Sequence, residues 1–230
     1  MIKRFMAVLL LAAVAGMFAS LWLDFTPHET LTLTARYYAE HTAADLGAAN
    51  IVTAIIVTYR GLDTLGEVTV LFLVATIVGL VLATAAAGRR ADQAPAGELL
   101  MTGSRLLAPP ILLFGVYVFV NGHLTPGGGF QGGAIIASGA LLLLLADPLR
   151  TFSHRLITTV EALSGVTYVF IGVLGLILAG GFLDNRLLPI GTVGELFSAG
   201  AIPLIYSLIG LKVGAEFSSM LATLSATEDL

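Results

Sequence analysis

Residues 68–87 read VTVLFLVATIVGLVLATAAA, twenty positions without a charge, a side-chain amide or a proline. A helix rises 1.5 Å per residue, so this stretch reaches about 30 Å, the thickness of a bilayer's hydrocarbon core. It has no polar face of any width, so a helix here must be surrounded by lipid or by other protein. The same signature recurs along the chain at residues 5–23 (after Lys3 and Arg4), 106–120, 131–146, 160–179 and 199–219. The fourth of these six stretches is short, at ~24 Å. The expectation is an all-α polytopic membrane protein with about six transmembrane helices.

Composition supports the same class. Of 230 residues, 57% are hydrophobic and 11% charged, against roughly 25% charged in a soluble domain. So few charges cannot cover the surface of a water-soluble fold. The formal net charge of -4 is thinly spread and leaves no basic face for nucleic acid. The chain has no cysteine, which excludes disulfides, thiolate zinc sites and protein-held iron–sulfur clusters. His28, His41, His123 and His154 lie far apart, with no pair at ligand spacing. No metal, no cofactor and no enzymatic centre are expected in this chain.

Loop charges orient the spans. With the N-terminus cytoplasmic, the inner segments hold Lys3, Arg4, Arg89, Arg90, Arg105, Arg150 and Arg155, while the outer ones hold Arg36, Arg60 and Arg186. The positive-inside rule then places both termini in the cytoplasm. The apolar run of the first segment exceeds a typical signal-peptide core, so a retained anchor is expected over a cleaved leader.

Residues 85–103 are rich in Ala and Gly, carry Arg89, Arg90 and Pro95, and lack a strong apolar period. They divide the chain into a two-span part (1–88), a cytoplasmic linker (89–104) and a four-span part (105–230). Between the first two spans, Ile51, Val52, Ile55, Ile56 and Tyr59 form a helical stripe too short to cross alone. It reads as one interfacial or partner-packed helix, with Gly61 allowing the turn that follows, or else as an extension of the second span.

Two stretches resemble a known family. Residues 117–133, YVFVNGHLTPGGGFQGG, resemble the signature of the B-type (MnhB/MrpB) subunits of the multisubunit Mrp-type cation/proton antiporters: a helix, Gly-His, then Pro-Gly-Gly-Gly-Phe-x-Gly-Gly. Residues 194–203, GELFSAGAIP, and 209–214, IGLKVG, look like the same family. Residues 50–67, NIVTAIIVTYRGLDTLGE, are similar to the C-terminal extension of the A-type Mrp subunit, which occurs as a small separate E-type subunit in membrane-bound hydrogenases. Thr58 stands where that family often has an acidic residue. The resemblance implies an accessory subunit of a sodium/proton antiporter in the cytoplasmic (inner) membrane, working with other membrane subunits. The alternatives are the same ion-translocating module in a hydrogenase-like respiratory complex, or a purely structural scaffold.

The residues supply candidates of their own. Pro126, Gly127, Gly128, Gly129, Gly132 and Gly133 read either as a tight packing turn, open to positive φ, or as a wet loop with His123 on an ion path. An ionisable side chain in an apolar helix is expensive unless paired or hydrated. Lys212 has Glu216 one turn on and Glu161 at a similar depth on the preceding span. It is either a paired buried cation or a lysine reaching a nearby inner interface. Gly210 and Gly214 form a small-residue face on the opposite side of that helix. Glu67, after Arg60 and Asp63, is either a proton-exchanging carboxylate or part of an interface-capping pair. Glu195 and Asp184 are expected to be solvated in an outer loop. Close helix contacts are expected at Gly175 and Ala179, Ala134 and Ser138, and Gly165 with Gly172, and Pro203 should kink the last span.

Overall fold

The computed structural model describes residues 2–25, 30–85 and 96–226, and among these the regular elements are all helical. Among the described residues six helices are long and apolar enough to cross a membrane. Arg89, Arg90 and Pro95 of the expected linker lie outside the described residues, as does His28.

The chain divides into two compact units, 1–37 and 38–230. The first contains α1, Ile2–Leu23, which is exposed from Lys3 to Leu23. Its twenty-two mostly apolar residues suit a lipid surround on every side. α2, Leu33–Leu46, begins in this unit and continues into the second, where Thr42 and Leu46 are buried.

In the second unit α3, Ile51–Ala54, runs straight into a π-helical turn, Ile55–Tyr59. Arg60 breaks the helix and α4, Gly61–Ala85, follows. α5 is Glu98–Val120, α6 Gly129–Ala146, α7 His154–Leu178 and α8 Ile202–Ser225, with a 3-10 turn at Asn185–Leu187 before α8. α8 is the central helix: α4, α5, α6 and α7 all pack against it. Its inward positions Ile202, Ile205, Ile209 and Val213 are fully buried.

Small residues let the helices approach closely. A Cβ on Gly115 of α5 would come within 2.8 Å of the Gly132 carbonyl on α6, and one on Gly133 within 2.8 Å of the Gly210 carbonyl on α8. The Gly210 and Gly214 face thus meets α5 and α6, leaving the Lys212 face for α7 and α4.

Several expectations need correcting. α5 and α7 start earlier than their apolar runs, so Glu98, Arg105 and Arg155 are helical and Glu98 to Ser104 extend the third span backwards. α5 also continues through Pro109 and Pro110, although each removes a backbone donor. Pro203 does not kink α8, because it occupies the first turn, where no intrahelical donor is needed. The short helix after Asn50 turns a different face inward: Thr53, Ala54 and Val57 are buried, whereas Ile51 and Val52 are exposed. Ala134 and Ser138 are exposed on α6, which packs instead through Gly132, Gly133, Ala137 and Ala140.

Candidate functional site: two polar regions on the central helix

The first polar region surrounds the glycine-rich loop between α5 and α6. Asn50 caps α3, its Oδ1 accepting from the backbone of Val52 and Thr53. Its Nδ2 donates to the carbonyls of Gly122 (2.9 Å) and Thr125 (3.0 Å), and its backbone N–H to that of His123 (3.0 Å). Thr53 Oγ1 donates to the Gly122 carbonyl at 2.6 Å and accepts from the Tyr206 hydroxyl of α8 at 3.2 Å. One Asn and one Thr on a short helix thus pin a loop some seventy positions away. Sequence reasoning singled out neither residue, although an Asn opening an apolar run is a recognisable N-cap signal.

The glycines of this loop serve close approach and not left-handed backbone. A Cβ on Gly127 would come within 2.8 Å of the Val118 carbonyl, and one on Gly129 within 2.5 Å of Ile209. Positive φ among the described glycines occurs elsewhere, at Gly47, Gly180, Gly191, Gly194 and Gly200. His123 is fully buried, with Nε2 3.4 Å from the Glu195 carbonyl. Burial lowers its pKa from the usual 6.5, and the backbone carbonyls of Glu195, Val120 and Leu196 oppose that shift. The ring is therefore held towards its neutral form.

The loop between α7 and α8 is ordered rather than open. Asn185 is fully buried and donates to the carbonyls of Leu46 (2.9 Å) and Ala199 (3.0 Å). Asp184, expected to be solvated, is buried against Arg186, whose guanidinium holds its carboxyl below the usual range. Glu195 is exposed, as expected.

The second region is ionic. Lys212 Nζ lies 2.7 Å from Glu216 Oε1 on the next turn of α8 and 3.9 Å from Glu161 Oε1 on α7. Phe72 of α4 presents its ring 4.8 Å from the ammonium, a cation–π contact. Gly165 of α7 lies beside the lysine stem. The Glu216 side chain is 0% exposed, against 10% for Lys212 and 19% for Glu161. Among the described residues no hydrogen-bond donor reaches Glu216 Oε2.

Lys212 is not near a helix end. It follows the start of α8 by ten residues and precedes its end by thirteen, ~15 and ~20 Å along the axis. α8 runs on to Ser225, past the end expected for the last span. Its ammonium is met inside the protein, by Glu216 and Glu161.

The structure keeps the remaining candidates apart from this cluster. Arg60 and Asp63 pair with each other on an exposed turn. Glu67 is exposed on α4, five residues before Phe72. Among the described residues no group of three or more His, Cys, Asp or Glu converges at metal-binding distance.

Comparison with known proteins places these features in a family. Residues 99–219 match the family described as "Domain related to MnhB subunit of Na+/H+ antiporter", and residues 2–93 match the MbhE family, the E-type subunit of MBH. The B-type subunit of the Na(+)/H(+) antiporter of Bacillus subtilis is 42% identical over 81 residues, which are 35% of this chain and 51% of that protein. A chain of the membrane-bound sulfane sulfur reductase, an archaeal respiratory membrane complex, is 40% identical, with a TM-score of 0.79 over 97% of this chain and 98% of that one. A chain of the Mrp complex from Dietzia sp. DQ12-45-1b is 26% identical, with a TM-score of 0.76 over 99% of this chain and 26% of that one.

Proposed function

Because the chain belongs to the family of domains related to the MnhB subunit of Na+/H+ antiporters, we propose that it is an accessory membrane subunit of an Mrp-type antiporter and contributes side chains to the ion path. The observation that carries the reading is Lys212, a cation held at mid-span between two carboxylates from α7 and α8. A scaffold has no use for such a group, because apolar packing would stabilise the same contact without burying charge. Glu67, with Arg60 and Asp63 beside it, is the second candidate, exposed on α4 where another membrane subunit can cover it. His123 belongs instead to the neutral structural loop. The subunit transports rather than catalyses and needs no cofactor of its own.

A second reading rests on a specific observation. The match to the sulfane sulfur reductase chain runs end to end in both chains, whereas the Mrp chain is about four times longer than the part matched. The same ion-translocating module in a redox-driven respiratory complex fits that organisation. Iron–sulfur and nickel content of the native complex purified through this chain separates the two.

In either setting a two-span part, 1–88, is joined by a linker to a four-span part whose first helix begins at Glu98, with both termini cytoplasmic. Cysteine placed at Thr192, in the exposed loop before α8, should label with an impermeant reagent from outside. One at Thr151, before α7, should not, and the reverse pattern overturns this orientation.

Transport tests the function. Sodium-dependent proton flux in vesicles should require the whole complex and fall in Glu67→Gln while assembly persists. Robust exchange by this chain alone in proteoliposomes would overturn the subunit reading.

A further inference from the structure

We infer that the Lys212–Glu216–Glu161 cluster holds one exchangeable proton, shared between its two carboxylates, and not a metal ion. The inference deepens the proposed function and relies on it only for what the proton is used for.

Two carboxylates and one ammonium sum to a net charge of -1 when all are ionised. The single ammonium sits against Glu216 and stands off from Glu161, 2.7 Å against 3.9 Å, so it pairs closely with one carboxylate at a time. Glu216 is the deepest member, and its Oε2 is buried without a hydrogen-bond partner among the described residues. A buried carboxylate with an unmatched oxygen and an unbalanced charge is relieved by a proton, which both neutralises it and turns an acceptor into a donor.

Among the described residues, no neighbouring element supplies another counter-charge. α4 brings the Phe72 ring, with Asp63 and Glu67 nine and five residues earlier on that helix. α6 carries no titratable residue. On α5, Arg105 is exposed, Tyr117 is exposed and Glu98 opens the helix. On α7, His154 and Arg155 open the helix, while the Tyr168 hydroxyl donates to the Gly61 carbonyl. On α8, the Tyr206 hydroxyl is spent on Thr53.

The donor set does not suit a metal. Hard cations sit in shells of about six or more oxygens. Here the lining is an ammonium, an aromatic ring and a glycine, with oxygens from two carboxylates. A proton needs one oxygen. Taken from water at Glu161, the most exposed member, it adds to a carboxylate oxygen and leaves hydroxide or a buffer base behind; no other bond changes. The ammonium then follows whichever carboxylate remains ionised. Proton on Glu161 leaves Lys212 against Glu216, and proton on Glu216 releases it towards Glu161.

Infrared spectroscopy of the complex purified through this chain tests the site directly. The carbonyl stretch of a protonated carboxylic acid should be present at neutral pH and exchange in heavy water. Glu216→Gln and Glu161→Gln should each remove one acid equivalent, because one carboxylate and one ammonium are already neutral. An unchanged band in both variants, or a band lost in Glu216→Gln but kept in Glu161→Gln, overturns the shared proton. Should Glu216→Gln fail to assemble, loss or retention of the band in Glu161→Gln decides the matter. Flux in the same preparations keeps the two ideas apart. Lost transport with an unchanged band leaves the transport reading standing and the proton site refuted. The expected band changes with normal flux leave the site standing and its role in antiport refuted.

Discussion

The two polar regions on α8 lie six residues apart, about 9 Å along the axis, yet they are built on opposite principles. Around Tyr206 the groups are neutral and, the buried Nδ1 of His123 apart, matched: Asn50, Thr53 and the loop carbonyls pair with one another. Around Lys212 the groups are charged and unmatched, with two acids for one base and an orphaned buried oxygen. A satisfied neutral network fixes one backbone arrangement and has no reason to change. In the ionic cluster one ammonium faces two carboxylates, so the pairing can be exchanged between them. On the proposed function, the contrast separates a structural region from one that takes part in transport.

Removing the base should have the largest effect. Lys212→Ala leaves Glu216 buried and Glu161 half-buried without a counter-charge, a loss of roughly 3–5 kcal/mol when a buried pair is broken, reduced as the carboxylates protonate. Assembled complex, measured by blotting a partner subunit, should fall steeply. Adding Glu216→Gln should restore assembly but not flux; full flux in the double variant would make the cluster as structural as the Tyr206 region.

A smaller loss is expected from Asn50→Ala. It removes a helix cap, about 0.5–2 kcal/mol, and frees the Thr125 carbonyl, adding about 1–3 kcal/mol if water does not reach it, while the Gly122 carbonyl keeps its bond from Thr53. Thermal unfolding of the solubilised complex should shift down while flux per assembled complex is unchanged. A specific loss of flux would move this region into the ion path.

The smallest effect concerns pH. His123 binds its proton less readily in the fold than in the unfolded chain, because burial lowers its pKa from 6.5. Below 6.5 the unfolded state therefore holds more protons. The histidine's contribution to stability is complete above 6.5 and is lost as the pH falls through the lowered value. Melting temperatures of wild type and His123→Gln, compared from about pH 8 to about pH 5, should differ in slope on the acid side. Parallel curves would show that the loop tolerates the imidazolium.

Much of this was legible in the residues. Twenty uncharged positions ending at Ala87 require a span, and the Gly-His and Pro-Gly-Gly-Gly-Phe pattern is specific enough to resemble a family. The i,i+4 relation of Lys212 and Glu216 and the matching depth of Glu161 were also readable, because helical rise turns sequence distance into height. Asn50 and Thr53 were not, because their partners lie far along the chain and a hydroxyl in an apolar stripe looks like a defect in the pattern. Phe72 was missed for a similar reason: periodicity marks a face as apolar without saying that a cation will lie over the ring.

Composition and hydrophobic run length alone determined the class and the number of spans, and the glycine-rich motif pointed to the family. Class and span count depend on transfer of side chains to hydrocarbon, which is additive along the chain. Tertiary structure decided where Pro203 falls in its helix, which face of α3 turns inward, and how far α8 runs on past Lys212. It also decided that one ammonium serves two acids. Those facts depend on helix ends and on neighbours brought together by packing, and neither is an additive property of a sequence.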